Sequence, residues 1–256
     1  MALIQLDHTP ETLQVCLPLY IILPDPGMMG DKPLKKRKVL YLLHGLSENG
    51  SAWQRNSNIE VLAREHGLVV VMPSVGRSFY ADLPNGQRYF TYIVEELPQY
   101  LKDVFGLEPR REDTIIAGSS MGGYGAFKAA LNFPEKFACA ASFSGFLSLD
   151  MLQLIPEDDP RKAEFTTVFG ALEQLPGSDY DPLVWLKKAA DEPEPLPELF
   201  IACGKQDDLY PLNQIFFAAA QRLGVPLNYY VEDGEHDWHF WNRHIHRFLN
   251  IILGEA

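Results

Sequence analysis

Cysteine is scarce in this chain, with three in 256 residues: Cys16, Cys139 and Cys203. An odd number, each in an apolar, strand-like run, argues against a disulfide framework and for buried structural thiols. Basic residues are outnumbered as well, 22 lysines and arginines against 34 acidic residues, for a formal net charge of −12. That balance disfavours nucleic acid or an anionic membrane as partner, and bears on solubility rather than fold. Long hydrophobic runs are also missing. The stretch Leu13 to Leu23 is broken by Pro18 and has no basic segment before it, so it makes a poor signal peptide and is too short to cross a bilayer. There is no internal repeat and no low-complexity tract. These absences lead us to expect a cytoplasmic protein in a reducing compartment.

What is present points to one α/β domain over residues 1–256. Apolar content of 46% and charged content of 22% suit a single large core at this length. Strand-like and helix-like patterns alternate, which implies a mostly parallel sheet covered on both faces. Strands are expected at Leu13 to Leu23 (as part of an antiparallel opening hairpin), Val39 to Leu43, Leu68 to Met72, Phe137 to Phe143, Leu199 to Cys203 and Leu227 to Val231. Helices are expected at Ile59 to His66, Thr91 to Phe105 with a bend at Pro98, Pro211 to Leu223 and Trp238 to Ile252. Lys35 to Lys38 reads as a solvated basic loop, and Asp191 to Glu198 as an extended linker. Residues from 145 to about 196 lack strand periodicity and form an insertion, expected to lie over the active site as a lid or pocket wall.

The most informative stretch is Thr114-Ile-Ile-Ala-Gly118-Ser119-Ser120-Met121-Gly122-Gly123-Tyr124-Gly125. A β-branched apolar run enters G-x-S-x-G, and Ala126, Phe127, Ala129 and Ala130 continue with helical spacing. A nucleophile elbow requires this strand, tight turn and helix. The register selects Ser120: Ser119 would be flanked by Ala117 and Met121, and Ser144 by Ser142 and Phe146.

A serine hydroxyl is a weak nucleophile and needs a base, which in turn needs an anion to orient it. In hydrolases with an elbow the chain order is serine, acid, histidine. The loop Cys203-Gly204-Lys205-Gln206-Asp207-Asp208 follows a strand and offers Asp207 as the favoured acid, with Asp208 as the alternative. The loop Gly234-Glu235-His236-Asp237-Trp238 offers His236 as base, whereas His239, His244 and His246 fall within a helix pattern. His8 and His66 read as surface residues. His236, His239, His244 and His246 do not share one helical face, and no matching cysteine or carboxylate cluster appears, so no metal site is expected. The Met121 N–H and, beyond the kink at Gly45, the Leu46 N–H are the expected oxyanion donors, with His44 organising that loop. Phe79, Tyr80, Phe146, Trp185, Tyr210 and Trp238 lie on or near loops that could face Ser120 and bind substrate.

With these pieces placed, the chain resembles the esterase D-like branch of the α/β-hydrolases, and within it the small intracellular tributyrin esterases of bacteria. The motifs that carry the likeness are Leu42-Leu43-His44-Gly45-Leu46, the elbow itself, Cys203-Gly204 with Asp207, and Gly234-Glu235-His236-Asp237-Trp238. Phe143-Ser144-Gly145 and Glu95-Glu96-Leu97-Pro98 add to it. The resemblance implies an α/β-hydrolase fold, a Ser120–Asp207–His236 triad, an oxyanion hole at Leu46 and Met121, no cofactor, and short acyl esters from acetyl to butyryl as substrates. Feruloyl esterases, S-formylglutathione hydrolases and mycolyltransferases are similar families, so thioester hydrolysis and acyl transfer are the alternatives. His44-Gly45-Leu46-Ser47-Glu48 departs from the Ser-Gly-Leu-Thr-Cys of formylglutathione hydrolases. A non-catalytic binding protein is disfavoured because no member of the catalytic set is missing. A homo-oligomer is compatible with the sequence but not readable from it.

Overall fold

A computed structural model describes residues 1–25, 37–84, 86–192 and 195–254. Lys35 and Lys36 of the basic run, and Pro193 and Glu194 of the linker, lie outside these residues. Among the described residues, eight strands form one sheet in the order β1-β2-β4-β3-β5-β6-β7-β8. The strands are β1 (Ala2–His8), β2 (Leu17–Leu23), β3 (Val39–Leu43), β4 (Val69–Pro73), β5 (Thr114–Ser119), β6 (Cys139–Phe143), β7 (Glu198–Gly204) and β8 (Asn228–Glu232). From β4 across to β8 every pairing is parallel, whereas β1 and β2 are antiparallel at one edge. This is an α/β-hydrolase sheet.

Side chains alternate between two cores because strand residues point to opposite faces in turn. Leu40, Leu42, Ile115 and Ala117 pack with Trp53 of α1 (Ala52–Asn56), Leu62 of α2 (Ile59–His66) and Phe240 and Phe248 of α9 (Trp238–Leu253). Tyr41, Leu43 and Ile116 pack on the other face with Leu101 of α4 (Leu97–Phe105), Phe127 of α5 (Met121–Asn132) and Phe216 of α8 (Tyr210–Leu223). All five residues of β3 and of β4 are buried, as a strand covered on both faces demands. Gly67, at φ +67°, ends α2 where the sequence places its stop.

Three elements differ from the sequence expectation. The first strand begins only at Leu17, because residues 11–14 turn back on Pro10, with Gln14 at φ +53°. The unanticipated β1 pairs with it and completes the opening hairpin. The helix expected from Thr91 starts earlier, as α3 (Tyr89–Thr91), and passes through a π-helical turn at Tyr92–Glu96 before α4. Pro98 is the cause: it has no N–H for the Val94 carbonyl. Lys136 Nζ donates to that carbonyl instead, at 2.8 Å. Between β6 and β7 the chain forms α6 (Pro160–Phe169) and α7 (Pro182–Asp191), each begun by an aspartate, Asp159 or Asp181, that caps its first turn. Of the three cysteines, Cys203 is buried and Cys139 half-buried, but Cys16 is exposed in the turn before β2.

Candidate active site

Four loops at the carboxyl ends of parallel strands bring the site together, following β3, β5, β7 and β8. At the end of β5 the chain turns so sharply that Ser120 adopts φ 55°, ψ −117°, a conformation that costs on the order of 1–3 kcal/mol for a residue with a Cβ. Both flanking glycines are needed. A Cβ on Gly118 would lie 2.4 Å from the Gly122 carbonyl carbon, and one on Gly122 would lie 2.3 Å from the Leu43 oxygen. The Ser120 N–H donates to the Phe143 carbonyl at 2.9 Å, pinning the turn to β6. The hydroxyl then stands over the start of α5.

His236 Nε2 lies 3.0 Å from Ser120 Oγ. Its Nδ1 lies 3.0 and 2.9 Å from the two carboxylate oxygens of Asp207. About a third of the imidazole side chain is exposed, 34%, while the Asp207 side chain is fully buried. Burial by itself would raise the Asp207 carboxyl. The bonds from His236 and the Ser144 hydroxyl, the attraction of His236 and the Leu209 N–H outweigh it and hold the group below the ordinary carboxylate value. Asp208 is exposed and turns to the cavity wall instead.

The Leu46 and Met121 N–H groups find no backbone acceptor among the described residues. The neighbouring Gly45 N–H is taken by Glu48 Oε2 at 2.9 Å, and Glu48 Oε1 accepts from the Trp238 indole at 2.9 Å. Glu48 therefore ties the loop after β3 to the loop that carries His236. His44 is fully buried. Its Nε2 accepts from the Val75 N–H at 3.1 Å, so Nδ1 carries the proton and donates to the Gly45 carbonyl at 2.7 Å. Burial pushes this imidazole down to about 4 against the pull of that bond, so it stays neutral and holds the loop.

Ser120, Met121, Leu46 and His236 border a cavity of about 610 Å³, walled mainly by apolar side chains. Phe79 and Phe146 line it, as the sequence suggested. The other four aromatic candidates do not. Tyr80 is fully buried against Gly125, with its hydroxyl donating to the His44 carbonyl at 3.0 Å. Trp185 is 2% exposed, and its indole donates to the Asp179 carbonyl at 2.7 Å. Tyr210 accepts from Gln214, and Trp238 is occupied with Glu48 and stacks edge-on against Trp53. Met151, Leu152, Ile155, Arg161 and Phe165 complete the wall from the segment between β6 and β7. Sequence reasoning assigned a wall to that segment without naming these residues. Their one signal was a lack of strand periodicity. Arg77, exposed on the loop after β4, ties that loop to α6 through an ion pair with Glu164. A second cavity, about 430 Å³ between α4 and the start of β5, contains none of these groups. Among the described residues, no set of three or more His, Cys, Asp or Glu side chains is placed to hold a metal ion, and no helix is long and apolar enough to cross a membrane.

Comparison with known proteins bears on the fold and the family. Residues 11–250 match the family model described as "Putative esterase". The chain is 32% identical to an acetyl esterase of Caldicellulosiruptor saccharolyticus, over 96% of each protein. It is 26% identical to S-formylglutathione hydrolase of Bos taurus, over 91% of this chain and 87% of that protein. The structure of FphF, a fluorophosphonate-binding serine hydrolase of Staphylococcus aureus, superimposes with a TM-score of 0.88 at 36% identity, covering 98% of both chains.

Proposed function

Because this chain belongs to the esterase D-like family of α/β-hydrolases, and is a serine hydrolase of small carboxylic esters, we propose that it cleaves short-chain acyl esters, acetyl to butyryl, through an acyl-enzyme on Ser120. The observation that carries this reading is the unbroken hydrogen-bonded line from Ser120 Oγ through His236 to buried Asp207. His236 takes the Ser120 proton as Oγ attacks the ester carbonyl. The Leu46 and Met121 N–H groups hold the resulting oxyanion, each such donor stabilising it by roughly 3–4 kcal/mol. His236 then protonates the departing alcohol, and water repeats the sequence on the acyl-enzyme. Asp207 keeps His236 Nδ1 protonated and stabilises the cation that forms between steps.

The apolar cavity beside Ser120 supports an acyl site, with Phe79, Phe146 and Phe165 as its aromatic wall. We place the whole reaction in one domain, with the segment from 145 to about 196 covering the site, and we assign the protein to the cytoplasm. The likeness to S-formylglutathione hydrolase supports thioester cleavage as a second reading on the same triad. A series of p-nitrophenyl esters from acetate to octanoate, with methyl ferulate and a formyl thioester beside them, separates the readings. Highest kcat/KM on acetate to butyrate is expected. Preference for the thioester or the ferulate would move the substrate while leaving the triad, and no turnover by folded protein would refute both readings.

A further inference from the structure

The second cavity, about 430 Å³, lies at the amino end of β5, away from Ser120, and shares no lining residue with the cavity beside the nucleophile. Buried Ile93, Val94, Leu107 and Phe137 give it an apolar interior. Tyr41 of β3 adds a polar group there. Its backbone is taken up in pairing with β4 and β5, so what it presents to the cavity is its phenol. The residue is 3% exposed, and among the described residues its hydroxyl meets no hydrogen-bond partner. Burial alone pushes the phenol up, so it stays neutral and can both donate and accept. A buried hydroxyl without a partner costs free energy, which a ligand that supplies one would recover.

The wall has a second unusual feature. The π-helical turn at Tyr92–Glu96 contributes Ile93, Val94 and Glu95 to it. Such turns are rare and recur at functional sites. Pro98 explains why the helix widens, and the widened turn borders the cavity.

The charged groups of the rim divide by what they already bind. Lys102 is paired with Glu108 at 2.6 Å. Lys136 donates to the Val94 carbonyl and lies 4.7 Å from the centre of the Phe133 ring. Arg111 donates to the Pro134, Pro195 and Leu196 carbonyls. Each basic group is engaged. Glu95 and Glu135 are exposed and, among the described residues, have neither an ion pair nor a hydrogen bond. The charge left for a ligand is therefore negative.

We propose that this cavity is a second binding site, for an aromatic amine whose ring fills the apolar interior, whose polar ring substituent meets the Tyr41 hydroxyl, and whose ammonium is held at the rim by Glu95 and Glu135. At about 30 Å³ for each non-hydrogen atom, the volume admits roughly a dozen of them, and it falls within the range of small-molecule sites. The assignment does not depend on the chemistry at Ser120.

Calorimetric titration with four matched probes tests it: tyramine, phenethylamine without the ring hydroxyl, 4-(2-hydroxyethyl)phenol without the charge, and 3-(4-hydroxyphenyl)propanoate with the opposite charge. Tyramine should bind with Kd of about 0.1–1 mM. Phenethylamine should bind about fivefold more weakly for want of one hydrogen bond, the neutral phenol about threefold more weakly, and the propanoate weakest of all. Tyr41→Phe should weaken tyramine about fivefold and leave phenethylamine within twofold, while urea unfolding without probe shows no loss of stability, because the hydroxyl removed had no partner. Glu95→Gln and Glu135→Gln should each weaken tyramine by about threefold or less, and together bring it to the level of the neutral phenol. No binding of tyramine below about 10 mM, tighter binding of the neutral or anionic probe, or unchanged tyramine affinity in Tyr41→Phe would overturn the proposal. So would loss of binding in Phe146→Ala, which would place the amine beside Ser120 instead.

Discussion

Lys128 offers a quantitative test of the packing behind the nucleophile. It lies on α5, 6% exposed, with Nζ at 4.4 Å from the centre of the Phe90 ring, 5.4 Å from Tyr180 and 6.0 Å from Trp185. Among the described residues its ammonium makes one hydrogen bond, to the Tyr80 carbonyl, long at 3.4 Å. Burial brings a group that ordinarily titrates near 10.5 down to about 8, partly opposed by Asp82 and Asp179. The folded value lies below the unfolded one, so between these limits the unfolded chain binds more protons and stability rises with pH. At 1.36 kcal/mol for each pH unit, the rise amounts to about 3 kcal/mol. Lys128→Met removes this titration while keeping an unbranched chain among the rings. Urea unfolding of both proteins at about pH 7 and about pH 10.5 measures it, and other titrating groups cancel in the difference. The stability of the variant minus that of the wild type should fall by about 3 kcal/mol from the lower pH to the higher. A difference that does not change with pH, or that grows, would refute the reasoning.

Other perturbations address the site itself. Asp207→Asn should lower kcat by about 10³- to 10⁴-fold by allowing the wrong His236 tautomer, whereas exposed Asp208→Asn should change it by less than about threefold; steady-state kinetics of the two would show whether the acid is off by one residue. Gly122→Ala forces a Cβ onto the backbone of Leu43 and His44, and should cost about 2 kcal/mol or more in a denaturant titration. Glu48→Gln keeps one acceptor where two are in use. It should lower kcat by about tenfold with KM nearly unchanged, because the loop bearing the Leu46 N–H loosens; a pure KM effect would argue that Glu48 contacts substrate instead.

What could be read from the sequence was whatever short-range geometry dictates. Gly118, Ser120 and Gly122 sit within one turn; the clash that excludes a Cβ at Gly118 is a consequence of that turn alone, whereas the one at Gly122 comes from the Leu43 and His44 backbone after β3. Asp207 and His236 were found because each follows a strand whose apolar run is plain, and because chain order limits the choice. The failures share a different cause. Whether Tyr80 faces the cavity or the core depends on Gly125, which leaves room for its ring from an element 45 positions later. Trp185 is buried by its contact with Tyr124, across a segment with no readable periodicity. The Trp238 partner of Glu48 lies 190 residues away, beyond any pattern of spacing. β1 was missed because its residues are largely exposed or half-buried and are held by pairing with β2. Cys16 looked buried because it borders an apolar run, but a turn carries it to the surface.

The central claim is that Ser120 becomes covalently acylated. An organophosphonate that mimics the tetrahedral intermediate should label the protein once per chain, and peptide mass mapping should place the adduct on Ser120, with loss of esterase activity in proportion. Labelling should vanish in Ser120→Ala. Stoichiometric labelling at another residue, or full esterase activity in protein labelled at Ser120, would contradict the account.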